Sequence, residues 1–374
     1  MKRIAFISSN KSEWGGSEYL WYKTALKFSE NNFDVLVSVP RWKIIPGQLE
    51  DLRRKSIPLY FNTDSSSFKK LFNRFLPSSM QFDYRNDGYE SIKKFSPDLT
   101  VINQGGNTGG ADIMEYCISE GLKFVTISQA ANEAKWPDDK LNKKLSEFFP
   151  RSEMNYFVSK ANLNLTQIQT GQDILNSEII FNPFNVSYNV NLPYPDDTEN
   201  YNMANVARHE FYAKGQDILF QVLNEKKWRE RNLTVNLFGK GEHSYQVKKL
   251  KDYFKLDKIN IKGHKDPEEI WKENHALILS SRYEGLPLAL VEAMLCRRVS
   301  VVTDVSGNRE AVTDGINGFL AAAAVPSLLD EAMERAWNRR NEWKQLGEAA
   351  GKDIRKKIPE DPVEYFYKKL RAID

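Results

Sequence analysis

Apolar runs about one strand long alternate with helix-length amphipathic stretches along nearly the whole chain, and the alternation is played out twice. The first series of strand candidates covers Arg3–Ser8, Asp34–Val39, Leu99–Ile102, Lys123–Ile127, Tyr156–Ser159 and Glu178–Phe181. A second runs through Met203–Ala207, Thr234–Phe238, Ile259–Lys262, Ala276–Leu279, Ser300–Thr303 and Gly318–Ala321. Strands separated by helices pair in parallel, and parallel sheets need helices on both faces, which is why their strands are continuous apolar runs. Between about Asn182 and Asn202 the pattern stops at a polar stretch holding Pro183, Pro193, Pro195 and Asp196-Asp197, suited to a linker. A length of 374 residues also fits two domains. The expected class is α/β, with two Rossmann-like doubly wound domains whose ligands meet the carboxyl ends of the strands.

Beyond Ala332 the chain turns helical. Pro359 and Pro362 interrupt it before a last helix that carries Val363, Phe366, Tyr367 and Leu370 on one stripe, which needs a surface to cover. The 53 Lys+Arg against 50 Asp+Glu leave a net charge of +3, which argues against a nucleic-acid partner. Cys117 and Cys296 have no Cys-x-x-Cys or Cys/His spacing, and the four histidines, His209, His243, His264 and His275, show no metal-ligand pattern. The apolar run after Met1-Lys2-Arg3 ends at Ser8, too short for a signal-peptide core, and no segment approaches a membrane span. The chain is therefore expected in the cytoplasm. Phe68, Leu71, Phe72, Phe75 and Leu76 lie at helical spacing among Lys69, Lys70 and Arg74. Such a basic amphipathic helix over 66–76 either contacts an anionic membrane face peripherally or packs on its own domain.

One stretch stands out for its chemistry. Ser280-Ser281-Arg282-Tyr283-Glu284-Gly285-Leu286-Pro287-Leu288-Ala289-Leu290-Val291-Glu292-Ala293-Met294 reads as a strand end, a turn, and a helix with Pro287 at its first position. Glu284 then precedes the helix and Glu292 lies more than a turn inside it. Free N–H groups of Leu288 and Ala289, with the helix dipole, suit an anion such as phosphate, and the two carboxylates suit sugar and ribose hydroxyls. Near the N-terminus Glu13-Trp14-Gly15-Gly16-Ser17-Glu18 opens a helix, where Gly15 and Gly16 either bring backbone N–H groups up to an oxyanion or form a plain turn capped by Ser17. No Gly-x-Gly-x-x-Gly supports a dinucleotide site; the nearest case, Gly239-Lys240-Gly241, has Ser244 at the third position.

The paired Glu284 and Glu292, the Gly-Leu-Pro-Leu between them and the downstream Glu310-Ala311-Val312-Thr313-Asp314-Gly315-Ile316-Asn317-Gly318-Phe319 resemble the Glu-x7-Glu signature of family 4 retaining glycosyltransferases, which have the GT-B architecture. Val206-Ala207-Arg208-His209-Glu210-Phe211-Tyr212-Ala213-Lys214-Gly215 resembles that family's Gly-Arg…Lys-Gly element, with Ala207 where Gly is usual. Further departures are Arg297 and Val299, where Gly and Pro are common, and Ser306 beside Gly307.

The resemblance implies an acceptor-binding domain over 1–184, a nucleotide-sugar domain over 185–355 and a C-terminal helix over 356–374 crossing back to the first. The two domains would face a cleft. It gives Arg208 and Lys214 the donor diphosphate, Glu284 the sugar and Glu292 the ribose. Leu288, Ala289, Gly15 and Gly16 would meet phosphate, His264 and Asp266 would belong to the nucleobase loop, and Asn103 and Gln129 to the acceptor side. Gln129 stands where many relatives have His and cannot act as a base. With no Asp-x-Asp in the sequence, the resemblance implies metal-independent transfer without a cofactor. A hexosyl unit would pass from a UDP- or GDP-sugar to a hydroxyl of a glycan or lipid-linked glycan. The alternatives are a non-catalytic nucleotide-sugar-binding module and a GT-B-fold nucleotide-sugar epimerase.

Overall fold

A computed structural model of the chain describes residues 1–11, 14–42, 45–62, 89–196 and 199–373. The segment 66–76, weighed above as a membrane contact, lies outside the described residues. The chain divides into two compact units, Met1–Pro183 with Asp361–Asp374, and Phe184–Glu360. Among the described residues, no helix is long and apolar enough to cross a membrane.

The first unit is built on a seven-stranded sheet in the order β3-β2-β1-β4-β5-β6-β7, in which every pairing is parallel. Its strands are β1 Arg3–Ser8, β2 Asp34–Pro40, β3 Leu59–Asn62, β4 Leu99–Gly106, β5 Phe124–Ala130, β6 Met154–Phe157 and β7 Ser177–Ile179. Alternation along β1 feeds two cores. Ile4 and Phe6 pack with Leu20, Trp21 and Phe28 of the Gly16–Glu30 helix, whereas Ala5 and Ile7 pack with Ile113, Met114 and Phe149 on the other face.

The C-terminal stripe finds its surface in this unit. Tyr367 meets Phe28 edge-on with ring centroids 4.6 Å apart, and Phe366 meets Tyr156 at 5.2 Å. Pro362 opens this helix, and the Asp361 side chain accepts from the N–H groups of Val363 and Glu364, each at 2.9 Å.

The second unit holds a six-stranded parallel sheet in the order β10-β9-β8-β11-β12-β13. Its strands are β8 Tyr201–Val206, β9 Leu233–Phe238, β10 Ile259–Gly263, β11 Ala276–Leu279, β12 Val299–Thr303 and β13 Phe319–Ala321. From Phe184 on, the stretch read as a linker is part of this unit. Asn185 bonds Glu292, Tyr188 donates to Arg355 O at 2.8 Å, and Pro193 O accepts from the buried Arg298 at 2.6 Å. Prolines there keep the chain extended, and several of its polar groups find long-range partners that local composition does not reveal.

Candidate functional site

In the second sheet the chain leaves β8 for β9 on one side and later returns to β11 on the other. Loops leaving the carboxyl ends of β8 and β11 therefore diverge around a topological switch point, where an open sheet leaves room for a ligand. Both singled-out motifs of this unit start there.

Gly215 brings the two loops together. It adopts φ +60°, and a Cβ on it would lie 2.0 Å from the carbonyl oxygen of Ser280. Only glycine allows that approach. Ser280 Oγ donates to Gly215 O at 2.7 Å, and the Arg282 N–H donates to Ala213 O at 2.8 Å. As a result Lys214, at the end of the short Phe211–Lys214 helix, sets its Nζ 2.7 Å from both carboxylate oxygens of Glu284. Glu284 is 7% exposed, so this pair is largely removed from water.

Two serines orient the acid: Ser281 Oγ donates to Glu284 Oε1 at 2.7 Å, and the Glu284 N–H donates to Ser306 Oγ at 3.0 Å. Ser306, one of the departures noted in the sequence, thus serves as a support for the Glu284 turn. Arg208 is more exposed and pairs with Glu210 at 3.0 Å. Arg282 forks onto Asp217 at 2.7 and 2.8 Å, which raises the guanidinium pKa and braces the loop.

Leu288–Leu295 forms the following helix, but Pro287 is its N-cap with extended ψ of 126° and not its first helical residue. The reason is that Pro287 O already accepts from the N–H groups of Leu290 and Val291 at 3.1 and 3.2 Å, the bonds a cap carbonyl makes. Leu288 and Ala289 accordingly occupy the first two helical positions, whose N–H groups lie outside the helical ladder. Glu292 is buried, and the Asn185 backbone N–H and Nδ2 both donate to its Oε1 at 2.9 Å. Burial pushes its pKa up to about 7, Asn185 pulls it down, and the charge of Asp266 adds to the rise.

The remaining predicted residues are placed unequally. Asp266 caps the Pro267–Glu273 helix, its side chain accepting from the Glu268 N–H at 2.9 Å. His264 is exposed beside it at the end of the edge strand β10. In the first unit Gly15 is the N-cap of the Gly16–Glu30 helix in extended conformation; Ser17 makes no cap. Asn103 and Gln129 lie within the carboxyl-terminal parts of β4 and β5 but are 1% and 5% exposed, held in side-chain hydrogen bonds.

Sequence reasoning passed over two residues. Asn185 reaches Glu292 across 107 positions, with no local signal. Glu18 is fully buried at the carboxyl ends of β1 and β4, where Ser8, Asn10, Ser17, Trp21 and Asn103 all donate to it. Burial raises its pKa, and the hydrogen bonds from its neighbours oppose the rise. The available signal was an acid two positions behind Gly16, which also reads as an ordinary helix-start carboxylate.

A lysine–carboxylate pair, an arginine, a second buried acid and a helix N-terminus thus gather at one switch point. Residues 195–353 match the family model of group 1 glycosyl transferases. Over 148 residues the chain is 30% identical to an uncharacterized glycosyltransferase of Methanocaldococcus jannaschii, covering 39% of this chain and 40% of that protein. Over 183 residues it is 28% identical to the poly(ribitol-phosphate) alpha-N-acetylglucosaminyltransferase of Staphylococcus aureus, covering 46% and 36%. The matches therefore span less than half the length of either curated relative. The crystal structure of Anabaena HepE in complex with UDP aligns with a TM-score of 0.77 at 16% identity, over 99% of this chain and 100% of that one. The fold is accordingly that of the GT-B glycosyltransferases: two Rossmann-like parallel-sheet domains and a C-terminal helix.

Proposed function

We propose that the chain is a family 4 retaining glycosyltransferase that moves a hexosyl unit from a UDP- or GDP-sugar to a hydroxyl of a glycan or lipid-linked glycan, without a metal ion. The observation that carries this reading is the Lys214–Glu284 pair at the switch point of the second sheet, with Arg208 on the same loop and Glu292 on the helix that follows. The match of residues 195–353 to group 1 glycosyl transferases supports it, and the UDP bound to HepE favours a nucleoside diphosphate as leaving group.

On this reading the bond from the anomeric carbon to the diphosphate breaks, and the acceptor oxygen bonds the same carbon from the same face. The acceptor proton passes to a diphosphate oxygen. Negative charge grows on the leaving group, and Arg208 and Lys214 meet it with two positive charges in place of a metal. Lys214 then exchanges part of its bond to Glu284 for phosphate oxygen, which leaves the Glu284 carboxylate to hold the sugar. Glu292 uses its carboxylate for ribose hydroxyls, and the N–H groups of Leu288 and Ala289 donate to a phosphate oxygen.

A thermal-shift screen over UDP-, GDP-, ADP- and TDP-sugars identifies the donor, because a ligand of the native state raises the unfolding midpoint. Transfer from that donor to a panel of p-nitrophenyl glycosides is then followed by mass spectrometry. Lys214→Ala and Glu284→Ala are each expected to lower turnover about 10²–10³-fold. Unchanged turnover in both variants refutes the site, and donor binding with neither transfer nor hydrolysis identifies a binding module instead.

A further inference from the structure

Glu18 sits at the switch point of the first sheet, between the ends of β1 and β4, as the hub of a polar network that contains no cation among the described residues. Its Oε2 accepts from Trp21 Nε1 at 2.7 Å and Ser8 Oγ at 2.9 Å. Its Oε1 accepts from Asn10 Nδ2 at 2.8 Å, Asn103 Nδ2 at 3.1 Å and Ser17 Oγ at 3.3 Å. Five donors on two oxygens is the arrangement an ionised carboxylate, which only accepts, satisfies best.

The direction of these bonds propagates. Because Asn103 gives its N–H to Glu18, its Oδ1 is the end left to accept from Gln129 Nε2, at 3.2 Å. Gln129 in turn has its Oε1 left to accept from Asn182 Nδ2 at 2.7 Å. The relay ends at Asn182 Oδ1, an enclosed oxygen without a donor among the described residues. Each amide has one donating and one accepting end, so an acceptor-only group at the start sets the orientation of all three.

We propose that Glu18 is a positioning residue that fixes the hydrogen-bond polarity of Asn103, Gln129 and Asn182 at the carboxyl end of the central strands, and so decides how Asn182, the half-buried last member, meets a hydroxyl of a glycan acceptor. This rests on the transferase reading above. It also gives the buried Gln129 a role: an amide of set direction that passes its polarity on to Asn182 and takes no proton.

The chemistry of a single substitution exposes the mechanism. In Glu18→Gln the indole N–H of Trp21 cannot reverse, so the new carbonyl faces it and the new NH2 faces Asn10 and Asn103. Asn103 must then turn, which withdraws the oxygen used by Gln129 and disturbs Asn182. Adding Asn103→Asp restores an acceptor toward residue 18 and keeps one toward Gln129. Asn10 faces the same group in the single and the double variant, so comparing them isolates Asn103.

The test is a double-mutant cycle of Glu18→Gln and Asn103→Asp in the full chain, read by unfolding midpoint, by UDP affinity in calorimetry and by transfer to the p-nitrophenyl glycoside that wild type uses best. Each single variant is expected to lower the unfolding midpoint, and the double variant to lie above both. Glu18→Gln is expected to lower the turnover number for transfer about tenfold or more while UDP affinity stays within about twofold, and the double variant to recover most of the turnover. Asn182→Asp, at the far end and away from the buried acid, is expected to reduce transfer in the same way.

Additive midpoints, or full transfer activity in Glu18→Gln and Asn182→Asp, overturn the proposal. Loss of activity that the double variant does not recover also overturns it. If wild type itself transfers no sugar, the transferase reading fails, while the midpoints still decide the relay.

Discussion

The two units share a doubly wound parallel sheet with a switch point beside the first strand of each, yet the chemistry at the two points is opposite. In the second unit the loops carry charge against charge, Lys214 with Glu284, Arg208 with Glu210 and Arg282 with Asp217. In the first, among the described residues, a buried acid is met by hydroxyl, amide and indole donors and by no cation. Topology explains why both sites exist and where they are, and side chains alone decide what each takes. Ion pairs can be exchanged for a polyanion such as a diphosphate. A buried carboxylate that sets the direction of uncharged amides suits neutral hydroxyls, as proposed above.

Substitutions that act on one unit at a time break this comparison most sharply. The largest effect is expected at Gly215, where alanine would need φ +60° and would set Cβ against Ser280 O at 2.0 Å. Gly215→Ala should cost about 3–5 kcal/mol in urea unfolding and separate Lys214 from Glu284. A stability within about 0.5 kcal/mol of wild type would show that the loops do not depend on that approach.

Next come the two buried acids. Glu292 has its folded pKa raised to about 7, so its contribution to stability is full below the unfolded value and is lost as pH rises through about 7. Glu292→Gln keeps an acceptor for Asn185 and should remove that slope, leaving the variant up to about 3 kcal/mol more stable than wild type at pH 8 and about equal at pH 4. Burial raises the Glu18 pKa as well, but Glu18→Gln should be less stable than wild type at pH 8, because its NH2 would face the amide donors of Asn10 and Asn103. If the two variants respond alike, the contrast between the units is wrong.

The smallest effect concerns the return of the chain to the first unit. Asp361→Ala removes two N-cap bonds from the Pro362–Arg371 helix and should cost about 1 kcal/mol in urea unfolding, with UDP affinity unchanged. A large change in affinity would mean that the cap acts beyond its own unit.

Much of this molecule could be read in advance where the deciding forces are local. Strands such as β1, β11 and β12 are apolar runs buried on both faces, and the structure places them within a residue of expectation. The short β3 escaped notice because Leu59–Asn62 pairs only at the sheet edge and offers little apolar length. Glu284, Glu292, Arg208 and Lys214 were visible because their spacing around a strand end and a helix start is itself the signal.

Glu18 was not visible, since an acid in the first turn of a helix is ordinary until its burial is known. Asn185 was hidden for the reason that made 182–202 resemble a linker: its partner is 107 positions away. Pro287 fell one position outside the helix because the choice between cap and first turn depends on ψ, which composition does not set.

By itself the sequence determined the class of fold, the two units, the strands that bear the loops and the carboxylate and cation chemistry of the second unit, because periodicity and short spacings act through neighbouring residues. Only the tertiary structure decided that Lys214 rests on Glu284, that burial raises the pKa of Glu292 and that Glu18 commands a directed chain of amides. Those properties come from burial and from contacts between distant segments, and neither exists until the sheets have formed.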